Sequence, residues 1–212
     1  MASDPTEMLI DELMPSFDAT IAEHVIIDAP PERVYEATRT MDFLQIHSPM
    51  LDAAMFVRAL PSRITRKLGD KPNPPPPPAM RLSDMFDGNA DPDVLEGWLP
   101  LGEIEGRELV FGAIGKVWQP DIEWRTVTRD EFQTFDEPDF AKIAVNFSIR
   151  HYGRDRSILT YEARTKGTDA EARKKFLRYW RIVDRFVSHV MRATVKTAKH
   201  RAEERVPALA AP

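Results

Sequence analysis

The chain has 212 residues, 42% hydrophobic and 30% charged, enough for one domain with a substantial core. Its net charge of -5 argues against a general nucleic-acid binder, whose domain is ordinarily basic. The lack of Cys excludes disulfides and thiolate metal sites. No apolar run approaches the ~18 residues of a membrane-spanning helix and no basic-then-apolar leader opens the chain, so a cytoplasmic location is the default expectation.

Residues 1–20 are acidic and weakly patterned and read as a partly mobile arm, with Met8, Leu9, Leu13 and Met14 able to form an amphipathic turn or two. One domain is expected over 21–205, followed by a tail at 206–212. Residues 21–28 (IAEHVIID) are rich in β-branched types and predict a strand. Ala29-Pro30-Pro31 ends it, and Pro31 suits the first turn of a helix over PERVYEATRTM. A second helix, of poor periodicity, is expected between 43 and 60. Residues 71–78 (KPNPPPPP) must be extended polyproline II, because each proline fixes φ and removes a donor. Such a run reads either as a ligand for a proline-recognising partner or as a stiff loop within the domain. The absence of a second core upstream favours the loop.

From Trp98 the period changes to two. Strands are expected over 98–103, 108–115, 144–152 and 157–165, the last two forming a hairpin around Gly153-Arg154-Asp155-Arg156. Val145, Phe147 and Ile149 alternate with Asn146, Ser148 and Arg150; Leu159, Tyr161 and Ala163 alternate with Thr160, Glu162 and Arg164. That alternation predicts an antiparallel sheet with one covered face. The cover is a long helix from Thr168 to about Glu204, roughly 50 Å at 1.5 Å per residue. Thr168 and Glu171 have capping-box spacing, and Phe176, Tyr179, Trp180, Val183, Phe186, Val187, Val190, Met191, Thr194 and Ala198 form an apolar stripe. Past Thr194 large apolar residues thin out, so that end is expected to run beyond the sheet. The order, strand, one or two helices, antiparallel strands and terminal helix, is an α+β arrangement.

This order, with the segment His24-Val25-Ile26-Ile27-Asp28-Ala29-Pro30-Pro31-Glu32-Arg33-Val34-Tyr35, resembles the helix-grip superfamily known as SRPBCC or START-like. Residues 106–118 (GRELVFGAIGKVW), 135–138 (FDEP), Ala141-Lys142, Asn146-Phe147, Glu162, Arg164 and Tyr179-Trp180 are similar to a bacterial branch common in actinobacteria. The resemblance covers about 21–204, with the proline run as an insertion. It implies a curved seven-stranded antiparallel sheet gripping the C-terminal helix, with a cavity between them. Members use that cavity for lipids, sterols, hormones or polyketides, and some for cyclisation.

The expected ligand-binding set is therefore Phe111, Trp118, Phe147, Ile149 and Tyr161 on the sheet and Tyr179, Trp180, Val183, Val187 and Met191 on the helix; the competing reading is a dry packed core. The strand glycines Gly112 and Gly115, where side chains are missing, are expected to add room. Arg164, beside Glu162, is a candidate fork donor to a ligand carboxylate or carbonyl, against the alternative of a solvated sheet face. Asp184 reads either as a pocket acid or as an ion-pair partner of Arg181 or Arg185. The five His residues show no metal-binding spacing, and no nucleotide, dinucleotide or serine-hydrolase motif occurs, so neither metal nor cofactor is expected. The Lys and Arg excess on the terminal helix reads as a solvated face, or as docking to an anionic membrane surface. The function expected is binding or transport of a hydrophobic small molecule. The alternatives are an aromatase/cyclase-type enzyme and an interaction domain with a filled core. No residue pair compels catalysis.

Overall fold

The structure, a computed structural model, describes residues 8–43, 46, 79–91 and 95–204. Most of the helix expected within 43–60, the proline run at 71–78 and the tail at 206–212 lie outside the described residues. The elements in order are α1 (Leu9–Leu13), β1 (Ala19–Ile27), α2 (Pro31–Thr40), α3 (Leu82–Phe86), β2 (Trp98–Ile104), β3 (Glu108–Gly115), β4 (Trp124–Arg125), α4 (Arg129–Thr134), β5 (Ala141–His151), β6 (Ser157–Gly167) and α5 (Ala170–Glu203).

The strands form one antiparallel sheet in the order β1-β6-β5-β3-β2, with β4 paired to the end of β3. Six strands occur among the described residues, where the resemblance implies seven. Register fixes two faces. Leu109 sits opposite Phe147 and Phe147 opposite Tyr161, while Val110 sits opposite Asn146 and Asn146 opposite Glu162. The first set lies on the face that α5 covers, called concave here, and the second on the convex face.

Helix α5 is 34 residues long, as its uninterrupted stripe predicts, but its cap differs from the expected box. Asp169 is the N-cap, its Oδ1 accepting from Ala172 N at 2.7 Å. Thr168 instead bonds the Phe140 backbone, so sheet pairing claims it before the helix can. A true capping box stands at Thr128 and Glu131, opening α4, an element the sequence reading did not anticipate.

The C-terminal half of α5 does not run free. Val195, Ala198 and Ala202 are buried against Ile27, Val34, Tyr35 and Leu159. Lys199 Nζ reaches Ile26 O at 2.7 Å, and Glu203 Oε1 accepts from Asp28 N at 2.8 Å. The expectation of an overhanging end fails because alanines, which look weak as core formers, let the helix backbone approach β1 and α2 closely.

The convex face, expected to be solvated, is also covered. Ile10, Leu13 and Met14 pack with Leu101, Val110, Ile114, Phe132, Phe140 and Ala144 in a second core. Residues 8–18 of the supposed arm are therefore part of the fold. Beneath them Glu108 is wholly buried, and its carboxylate accepts from Leu9 N (2.8 Å), Ile10 N (3.4 Å) and Asn146 Nδ2 (2.7 Å). Buried charge is tolerable only when hydrogen-bonded in this way. Gly112 belongs to this core: a Cβ there would stand 2.6 Å from both Ile143 O and Leu101 Cδ1, and 3.1 Å from the Phe132 ring. Gly115 admits the Trp124 ring in the same manner, at 2.6 Å. Both glycines mark close approach, and neither opens room for a ligand.

Candidate functional site

The concave face carries a continuous run of aromatic rings across the sheet. Trp124 lies 6.3 Å from Trp98, Trp98 5.6 Å from Phe111, Phe111 6.3 Å from Phe147, and Phe147 4.2 Å from Tyr161. Phe43 closes on Phe147 at 6.1 Å. Antiparallel register places Phe147 between Leu109 and Tyr161 on adjoining strands, and tilted or offset stacking at these separations is the favoured geometry of aromatic pairs.

Exposure divides the expected binding residues into two groups. Phe147 (0%), Ile149 (3%) and Phe111 (7%) are packed to completion and form a floor. Tyr161, Ala163 and Ile143 on the sheet and Trp98 and Trp124 at its edge are half-buried, as are Tyr179, Trp180, Val183, Phe186, Val187 and Val190 on α5. Met191, at 3%, marks where α5 settles fully into the protein. Trp118 stands half-buried at the far end, beside the cluster of Val117, Ala141 and Phe176, with Phe176 in turn 5.7 Å from Trp180. The open stretch is thus the N-terminal half of α5 together with Tyr161, Ala163, Ile143 and Trp98.

Arg164 does not belong to it. It lies on the convex face with its donors spent within the chain: Nε to Glu162 (2.7 Å), Nη2 to Asp11 (2.7 Å), and Nη1 to the carbonyls of Ile10 (3.4 Å) and Met14 (3.1 Å). Its guanidinium also lies 4.9 Å from the Phe17 ring. The strand parity that makes Phe147 and Tyr161 concave makes Arg164 convex, so it anchors residues 8–18 and is unavailable to a ligand in the concave site. Asp184 lies at the β1 edge of the concave face, beside Ile21, Ser188 and Arg192, accepting from Arg185 N at 2.6 Å.

Two further carboxylates border the concave face, and both are engaged by arginine. Glu23 of β1 accepts from Ser188 Oγ (2.6 Å) and from Arg192 Nη2 (2.8 Å) and Nε (3.1 Å) of α5; the Arg192 hydrogen bond holds its pKa below the usual carboxylate value. Glu103 accepts from the Tyr35 hydroxyl and from Arg39 Nε (3.0 Å), and Arg39 also binds Asp87 (2.6 Å). Burial, then the Glu103 carboxylate, push the Tyr35 phenol far up. Tyr161 differs: burial alone raises its phenol, and its hydroxyl makes no hydrogen bond to any described residue. Several α5 cations are matched to acids, with Arg173 on Asp18 (2.8 Å), Lys175 on Asp139 (2.6 Å) and Lys199 on Glu203 (3.2 Å).

Trp98, Phe43 and Trp124 were not in the expected set. Trp98 was legible, since the parity of the 98–103 and 108–115 strands places it near Phe111; Trp124 and Phe43 sit outside any strand pattern visible in the sequence. Among the described residues no group of three or more His, Asp or Glu is arranged to hold a metal, and no helix is long and apolar enough to cross a membrane.

No family model matches the chain, and no curated protein matches it. Among solved structures it is similar to TTHA0849 from Thermus thermophilus, with 11% identity over 87% of this chain and 97% of that one and a TM-score of 0.34. It is also similar to MLL2253 from Mesorhizobium loti, with 11% identity over 86% of this chain and 96% of that one and a TM-score of 0.35. A third is the ZhuI aromatase/cyclase from Streptomyces sp. R1128, with 13% identity over 88% of this chain and 96% of that one and a TM-score of 0.29. Likeness this distant carries no activity across.

Proposed function

We propose that the protein binds a hydrophobic, ring-bearing small molecule between the concave face of the sheet and the N-terminal half of α5. The observation that carries this reading is the pairing of a completely packed aromatic floor with a cluster of large side chains left half-buried above it. Burying apolar surface is worth about 25 cal/mol per Å². Tyr161, Trp98, Tyr179, Trp180 and Val187 leave that gain unrealised on a stretch where both flanking ends of the core, at Phe176 and at Val195, are closed. A flat apolar ligand would recover it, and aromatic neighbours favour one with rings.

Binding is favoured over cyclase chemistry by the bordering acids. A general acid or base must be free to exchange a proton with the substrate, whereas two of the three bordering acids, Glu23 and Glu103, are each tied to an arginine and the third, Asp184, stands at the β1 edge beside Arg192. A filled core is disfavoured by the same half-buried side chains. Tryptophan fluorescence and thermal melts in the presence of anthracene-sized ring compounds and of palmitate test the reading. Quenching with a raised Tm for the ring compounds supports it. No quenching and no Tm shift from any ring compound would overturn it.

A further inference from the structure

Helix α5 uses one side to build the protein and turns another, of different chemistry, to the solvent. Its buried positions, from Phe176 through Met191 to Ala202, follow a single stripe. At 3.6 residues per turn Ile182 falls on the side away from that stripe, and it is 78% exposed, more than any other large hydrophobic side chain among the described residues. One exposed isoleucine is ordinary; its company is not. Arg178, Arg181 and Arg185 run along its flank at steps of three and four, all exposed, and Phe186, one turn on, is half-buried. Other cations of the helix are matched: Arg173 to Asp18, Lys175 to Asp139, Arg192 to Glu23 and Lys199 to Glu203. The Arg178, Arg181 and Arg185 guanidinium groups meet no carboxylate among the described residues. Asp184, the one acid in this stretch, accepts from the backbone of Arg185. The charge is segregated: α5 holds ten Lys or Arg against three Asp or Glu, in a chain whose net charge is -5.

We infer that the outer face of the first half of α5 docks flat on an anionic lipid bilayer. The three arginines meet headgroup oxygens, and Ile182 enters the interfacial layer between them. A helix that lies in the membrane surface presents basic residues alongside apolar ones, which is the arrangement of this row. No described helix is long and apolar enough to span, so contact is along the surface. Guanidinium forks match phosphate and carboxylate oxygens two at a time, and three of them span about 10 Å of helix, within reach of neighbouring headgroups. The acidic remainder of the chain orients the molecule, turning α5 toward a negative surface and the rest away from it. An acidic protein fits less well. A stable protein interface covers about 800 Å² on each partner around an apolar centre. Here a single isoleucine projects from a convex helix, and the adjoining surface of Arg173, Lys174, Leu177, Arg178 and Arg181 is open and mostly cationic. This docking face is independent of the small-molecule site, which lies on the other side of the helix.

The test is co-sedimentation of the full chain with vesicles of phosphatidylcholine alone and of phosphatidylcholine carrying phosphatidylserine. Binding to the anionic vesicles only, weakening as salt is raised, is expected. An arginine at such a surface is worth about fivefold in partitioning, so Arg178→Gln, Arg181→Gln and Arg185→Gln combined should weaken binding about a hundredfold. Ile182→Ser should weaken it by about threefold to tenfold, the range for partial burial of one aliphatic side chain. All four positions are exposed, so melting curves should coincide with wild type. The pair Arg154→Gln and Arg156→Gln, in the β5–β6 turn, should leave vesicle binding unchanged. No binding to anionic vesicles, equal binding to both kinds, or an equal loss from the turn pair overturns the inference. Undiminished binding by Ile182→Ser, with soluble polyglutamate bound as well as vesicles, would make the row a site for an acidic protein and overturn the bilayer.

Discussion

The two faces of the sheet are closed by different means. On the convex side, small and medium residues of α1 and the ring of Phe132 interlock with Leu101, Val110 and Ile114, and the charges among them are matched. Glu108 takes three donors, and Arg164 reaches two carboxylates and two carbonyls. On the concave side the largest side chains of the protein line up, yet over the N-terminal half of α5 they stop short of burial. A face that is only structural reaches native packing density. One that keeps aromatic surface half-accessible forgoes stability, and the binding reading proposed above rests on that contrast as much as on any single residue.

The difference can be broken most strongly at Phe132. It is wholly buried on the convex side, and Phe132→Ala is expected to cost about 3–5 kcal/mol in chemical denaturation, the range for an aromatic deleted from a closed core. Next comes Glu108→Ala, which strands Leu9 N, Ile10 N and Asn146 Nδ2; a loss of about 3 kcal/mol is expected, with faster proteolytic cleavage within residues 8–18. On the concave side the equivalent truncation is milder. Trp180→Ala removes a half-buried ring and is expected to cost only about 1–2 kcal/mol while abolishing the Tm shift given by ring compounds. A cost as large as that of Phe132→Ala would mean that α5 and the sheet form a dry core.

Smaller effects sharpen the picture. The Glu23–Arg192 pair ties α5 to β1, with Glu23 depressed below its ordinary value of 4.5. Because the folded-state pKa is the lower one, the contribution is fully present above the unfolded value and is lost as pH falls through the folded value. Arg192→Ala is therefore expected to lower the melting temperature only slightly near neutrality, and its melting curve should converge on wild type as pH drops well below 4.5. Tyr161→Phe is the smallest: with no hydrogen bond to lose to a described residue, unliganded stability should change by less than about 0.5 kcal/mol in denaturant titration.

Much of the candidate site's placement on the sheet and helix was legible as pattern. Phe147, Tyr161, Tyr179 and Trp180 were placed by period-two and helical spacing, because those periods follow from backbone geometry. Which of them would be floor and which wall was not legible. Phe147 and Tyr161 are equivalent in pattern, and only the approach of Phe43 and Phe111 to the first decides that it is sealed. Arg164 was misassigned for a related reason. Parity put it correctly on the face opposite Tyr161, but nothing in the local pattern signals that residues 8–18 fold back across some 150 positions to occupy it.

What the sequence by itself determined was local and periodic: the strands β1, β2, β3, β5 and β6, the Pro31 start of α2, the turn at Gly153 and the length of α5, each written in spacing, β-branching or the absence of breakers. What only the tertiary structure decided was what faces what. The convex core, the docking of the Val195–Ala198–Ala202 end of α5 and the choice of Asp169 over Thr168 as cap all depend on partners far away in the chain. Burial and hydrogen-bond satisfaction are properties of assembled surfaces, and a residue's own neighbours in sequence do not specify them.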